Sequence, residues 1–166
     1  MTSIENRLLR VTFSPQEGIA VEHRPTGTRF VRGTTLAESS GTARTTAAST
    51  KWGRGKRIEI ALPSGSVVRL TLAPRLPFLM VQQVLRGPVV VRRHTLCTLA
   101  VPADEKAKAF GTFGLKGIGQ RRLGSYGHLA IVDAATRSGA VCGWLTHERG
   151  SGVLFTRRQD GAVRVE

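Results

Sequence analysis

From Ser125 to Glu166 short apolar runs follow one another at close intervals, and that spacing restricts the chain to strands joined by tight turns. Val153-Leu154-Phe155, then Gln159-Asp160-Gly161, then Ala162-Val163-Arg164-Val165-Glu166 reads as a hairpin whose second arm is the last of the sequence. A terminal strand needs a partner or a cover for its backbone groups, because a free edge recruits other chains. The expectation is therefore a domain that is incomplete at its C-terminus, a fragment of something larger with a supporting function.

The same period-two signal recurs upstream. Ile58-Glu59-Ile60 and Val68-Arg69-Leu70-Thr71-Leu72 alternate apolar and polar side chains, as half-buried antiparallel strands do, and Pro63-Ser64-Gly65-Ser66 joins them. Leu8 to Phe13 and Gly18 to Arg24 form an earlier pair around Ser14-Pro15-Gln16-Glu17, and Pro25-Thr26-Gly27 turns into Arg29-Phe30-Val31. The low-complexity run beginning at Ser39 has no apolar period, which predicts a mobile loop near 39–56. Phe78 to Leu85 and Val89 to Val101 are partly apolar on both faces, the pattern of central strands. Pro102 to Phe110, with acid early, base late and Gly111 at the stop, is the single candidate for a short helix. No strand–helix alternation appears, so a doubly wound sheet is not encoded. The prediction is all-β: one antiparallel β-sandwich domain over residues 1–166, supersandwich-like, with at most one short helix.

Composition limits the function classes. The 166 residues suit a single module, and with 40% hydrophobic residues and 19 glycines it should fold. Cys97 and Cys142 are too few for a disulfide framework and sit in apolar strands, where buried thiols are the expectation. No secretory signal follows Met1 and no apolar run is long enough to span a bilayer, which predicts a cytoplasmic protein without a membrane partner. The 25 basic against 11 acidic residues, net +14, are the electrostatic footprint of a polyanion binder. Yet Arg92-Arg93, Arg121-Arg122 and Arg157-Arg158 would each put neighbours on opposite strand faces. Only Lys51-Trp52-Gly53-Arg54-Gly55-Lys56-Arg57 gathers charge around an aromatic. A solvated basic surface is the preferred reading over a nucleic-acid partner.

Catalytic constellations are scarce. Acid–base hydrolysis needs two converging carboxylates, whereas Asp104, Glu105 and Asp160 fall in turn patterns, Glu59 on an outward strand face and Asp133 at a strand end. Gly111 to Gly119 lacks the spacing of a phosphate cradle. His94 and Cys97 could face Cys142 and His147 across strands, but residues three or five apart point to opposite faces, which argues against zinc. No nucleophile elbow is present, and neither a metal nor a cofactor is expected. The segment Gly143 to Gly152 holds more: Trp144, His147 and Arg149 combine a flat apolar face with hydrogen-bonding groups suited to a sugar or an interface. Core packing of Trp144 is the competing and favoured role.

Gly124-Ser125-Tyr126-Gly127-His128-Leu129-Ala130-Ile131-Val132-Asp133, followed by Thr136 to Phe155 with its Gly143-Trp144-Leu145-Thr146-His147-Glu148-Arg149-Gly150-Ser151-Gly152 segment, resembles the amino-terminal β-sandwich region of bacterial alpha-galactosidase-like (melibiase-type) glycoside hydrolases. Leu76-Pro77-Phe78-Leu79-Met80-Val81 is similar to the preceding strand of such proteins, so the likeness spans roughly Arg57 to Glu166. The resemblance implies a non-catalytic sandwich that shapes the pocket rim or subunit contacts of a catalytic barrel, its principal partner, in which two aspartates carry a retaining mechanism. Those motifs do not occur here, so no catalytic residue carries over. The resemblance places Trp144, His147 and Arg149 at the rim, with carbohydrate or a second copy as further partners. The rival expectation is a free-standing carbohydrate-binding or protein-interaction module.

Overall fold

The computed structural model describes all residues except 37–40, 89, 91–93 and 146–150. Its described residues form seventeen strands and no helix, in antiparallel sheets, so the all-β, sandwich-like class is what the chain adopts. The chain divides into two compact units, Met1–Cys97 and Thr98–Glu166.

In the first unit, β1 (Thr2–Glu5), β2 (Leu9–Ser14), β3 (Gly18–His23) and β4 (Thr28–Arg32) form one sheet in sequential order, and β5 (Thr34–Leu36) follows. A second sheet runs β6 (Ala43–Thr50), β7 (Gly53–Ala61), β8 (Val67–Leu72) and β9 (Leu79–Val84). Alternation decides which face is buried: Leu9, Val11 and Phe13 on β2, and Val68, Leu70 and Leu72 on β8, are all removed from solvent. The Asn6 side chain ties the first sheet to the loop after β8. Its Nδ2 donates to the carbonyls of Ala73 (2.7 Å) and Leu76 (3.0 Å), while its Oδ1 accepts from the Leu8 and Leu9 amides.

In the second unit, β11 (Lys108–Gly111), β12 (Gly114–Gly117), β14 (His128–Asp133) and β15 (Ser138–Gly143) form a sheet in the order β12-β11-β14-β15. β13 (Leu123–Tyr126), β16 (Val153–Gln159), β17 (Ala162–Val165) and β10 (Cys97–Val101) adjoin in the order β13-β16-β17-β10. One core cluster draws Ala109, Leu129 and Ile131 from the first of these sheets and Val101, Val163 and Val165 from the second, which is the layering of a sandwich. The terminal hairpin forms as its sequence predicts. Asp160 and Gly161 both have positive φ (51° and 71°), the geometry that a two-residue turn between right-twisted strands requires.

Three segments differ from their sequence patterns. The run read as a mobile loop contributes β6, paired residue by residue with β7 from Ala43↔Ile60 to Thr50↔Gly53; Thr- and Ala-rich strands lack large side chains yet complete a backbone ladder. Phe78 to Leu85 is not a central strand. Its β9 is the last in its sheet and its side chains are half-buried or exposed, because β7 and β8 already supply the core; Val90 is exposed too. The candidate helix is absent, replaced by a turn and β11. The Asp104 amide donates to Asp133 Oδ2 (2.9 Å), the Lys106 amide to Asp104 Oδ1 (2.8 Å) and the Ala107 amide to the Asp104 carbonyl (3.0 Å). Ala107 and Ala109 then alternate into the core, a tertiary demand that outweighs the helix propensity of an Ala/Lys/Glu run.

Candidate functional site

Gly127, Trp144 and Gly152 meet at one end of the second unit. Gly127, with φ of +79°, turns β13 into β14. Its carbonyl accepts from the Trp144 amide (2.9 Å) and its amide donates to the Gly152 carbonyl (3.3 Å), which brings the ends of β15 and β16 together. The indole of Trp144 lies directly on Gly152: a Cβ placed there would sit 2.0–2.1 Å from Nε1, Cδ1 and Cε2 of the ring. Trp144 is therefore neither a core residue nor a loose one. One face is seated on glycine backbone, and the residue as a whole stays 38% exposed beside exposed Leu145, with Tyr126 exposed just before Gly127. His147 and Arg149 lie outside the described residues, so Trp144 is the one predicted rim residue whose position is established.

Gly152→Ala should expel the indole from this seat. In a Trp52→Phe background the Trp144 emission is expected to shift to the red, with a stability loss of about 1–2 kcal/mol typical of overpacking. An unchanged spectrum and unfolding midpoint would refute the tight seat.

Beneath this end, Ser125 is fully buried and organises two turns. Its Oγ donates to the His128 carbonyl (2.5 Å) and accepts from the Thr112 amide (2.9 Å). Nothing in the local sequence distinguishes this serine; only the folded register places it between the two turns. Beside it, Arg122 stacks over the Phe155 ring at 3.7 Å and donates to Glu166 (2.6 Å).

Two carboxylates, Asp133 and Glu59, serve structure. Asp133 Oδ1 accepts from the amides of Ala135 (3.0 Å) and Thr136 (3.2 Å) and Oδ2 from Asp104, and these backbone donors, Asp104 first, hold its carboxyl below the usual range. In the first unit Glu59 sits among Arg44 (2.9 Å), Arg69 (3.2 Å) and Arg57 (3.9 Å), its side chain 14% exposed. The hydrogen bond from Arg44, reinforced by charge from Arg44 and Arg69, outweighs desolvation and depresses its pKa. A depressed carboxylate stabilises the fold above its unfolded pKa, and that contribution disappears as pH falls through the lower folded value. Glu59→Gln is thus expected to cost about 1 kcal/mol near neutrality. The gap between the two proteins should close in thermal melts well below pH ~4; a gap that does not change with pH would contradict it.

Burial pushes the Cys142 thiol up, which makes it a poor nucleophile. No group of three or more His, Cys, Asp or Glu able to hold a metal occurs among the described residues. His94 instead hydrogen-bonds Gln83 Oε1 at 2.7 Å. No family model matches the chain, nor does any curated protein or solved structure.

Proposed function

We propose that this chain is a non-catalytic β-sandwich domain that supports an alpha-galactosidase-like glycoside hydrolase, lending surface to the pocket rim or subunit contacts of a catalytic barrel. The observation that carries the reading is the seat of Trp144 on Gly152. Both residues belong to the run that resembles the family, and their contact keeps a flat indole half-exposed at a strand junction, where a sugar ring or a neighbouring domain can cover it. The run from Gly124 to Phe155 also contributes to β13, β14, β15 and β16, strands of both sheets of the second unit.

The purified chain should leave a nitrophenyl α-galactoside intact, and should bind a barrel of the melibiase type in a titration that Trp144→Ala weakens. Turnover by the chain alone would overturn the proposal. So would affinity for galacto-oligosaccharides without affinity for the barrel, which would assign the chain to free-standing carbohydrate-binding modules.

A further inference from the structure

The β6–β7 turn carries Lys51 and Trp52, and the start of β7 carries Arg54 and Lys56, all exposed. The register Lys56↔Leu72 sets this turn against the segment that follows β8. There Pro74 lies next to Gly53, 3.7 Å from where a Cβ would stand, and Phe78 meets Trp52 edge-on with ring centroids 5.4 Å apart. Exposed Arg75 belongs to the same segment. Lys51, Arg54, Lys56 and Arg75 make no ion pair among the described residues, and residues 50–56 and 73–78 contain no carboxylate. Elsewhere in this unit the arginines Arg10, Arg24, Arg29, Arg44, Arg57 and Arg69 all face Glu5, Glu22 or Glu59. Arg7, Arg32 and Arg86 of this unit are likewise in no ion pair among the described residues, but here the uncompensated charge lies where the unit also exposes an indole, which is 38% accessible with the Lys51 ammonium 4.5 Å from its ring centroid.

We infer that this end of the first unit binds an acidic polysaccharide, with Trp52 stacking on a sugar ring as the Lys51 ammonium moves off the indole to a carboxylate or sulfate group, and with Arg54, Lys56 and Arg75 as the further cationic partners. The geometry favours a sugar polymer over a single-stranded nucleic acid. Binding successive bases takes a series of stacking platforms, whereas Trp52 and Phe78 stand at 82° to one another and offer a single flat face. Guanidinium and ammonium groups around one aromatic suit a pyranose with anionic substituents, since the ring's CH face packs on indole while the substituents take charge-assisted hydrogen bonds. The site is built wholly from the first unit and is independent of the role proposed for Trp144.

The probe is a fluorescently labelled heparin fragment, followed by anisotropy with the whole chain at two salt concentrations. Binding is expected, weakening as salt rises. The triple variant Arg54→Gln, Lys56→Gln, Arg75→Gln should lose ~10-fold in affinity, while a charge-matched control elsewhere, Arg32→Gln, Lys108→Gln, Arg121→Gln, should stay within ~2-fold. Trp52→Ala should weaken binding and Trp52→Phe restore most of it, with thermal melts showing that each variant is folded. Equal losses in the two triple variants would reduce the effect to net charge and overturn the site. Tighter binding of a thymidine oligomer than of heparin would overturn it in favour of nucleic acid, and absence of binding would remove it altogether.

Discussion

Phe13→Ala is expected to lower the stability of the first unit by about 3–5 kcal/mol, the range for deleting a fully buried aromatic. Phe13 is 1% exposed, opposite Ile19 on β3 and Thr2 on β1, and is among the largest side chains completely withdrawn from solvent. Removing the ring forfeits its transfer energy and leaves a void, because strands on both sides fix the backbone and prevent collapse. Against a typical domain stability of about 5–15 kcal/mol, this is a large fraction. Urea denaturation is the measurement, and the neighbouring Thr12→Ala on the opposite face of β2 is the control, expected to be mild. Comparable losses at the two positions would show that Phe13 is not the packing centre its burial indicates.

Gly111→Ala should cost less, about 1–3 kcal/mol, for a steric reason that no hydrophobicity pattern reveals. A Cβ at Gly111 would stand 2.3 Å from Ser125 Oγ, 2.6 Å from Ser125 Cβ and 3.1 Å from Phe113 Cε1. Ser125 cannot retreat, since it is buried and its hydroxyl bridges the His128 carbonyl and the Thr112 amide. The clash and the bridge are one arrangement, so the two positions should be energetically coupled. Ser125→Gly is costly alone but should relieve much of the Gly111→Ala penalty, and a double-mutant cycle reads the coupling directly. Strictly additive losses would refute the contact.

The hairpins were legible in the sequence because their causes are local. Leu9, Val11 and Phe13 alternate, Gly65 takes a positive φ between β7 and β8, and Asp160-Gly161 is a pair that tolerates two such residues in succession. The helix expected at Pro102 to Phe110 was not, because its outcome rests on Asp133, some thirty residues onward, whose carboxylate captures the Asp104 amide. The pairing of β6 escaped for a similar reason: Ala43 to Thr50 carries no apolar signal, and only the ladder offered by β7 makes it a strand.

For the candidate site, Trp144 stands out in the sequence by its residue type, whereas Gly152 reads as one more loop glycine until the indole is found resting on it. Glu59 reads as a solvated acid on an outward face until three arginines from three strands are seen around it.

Side-chain alternation and turn chemistry act within a few residues, so antiparallel strands, and the places where most of them bend, are readable from the residues alone. Which strands share a sheet, the division into two compact units, and the meeting of residues far apart in the chain come from the packed fold. Those outcomes depend on steric fit between distant positions, Trp144 on Gly152 and Ser125 against Gly111, and such fit has no periodicity to announce it.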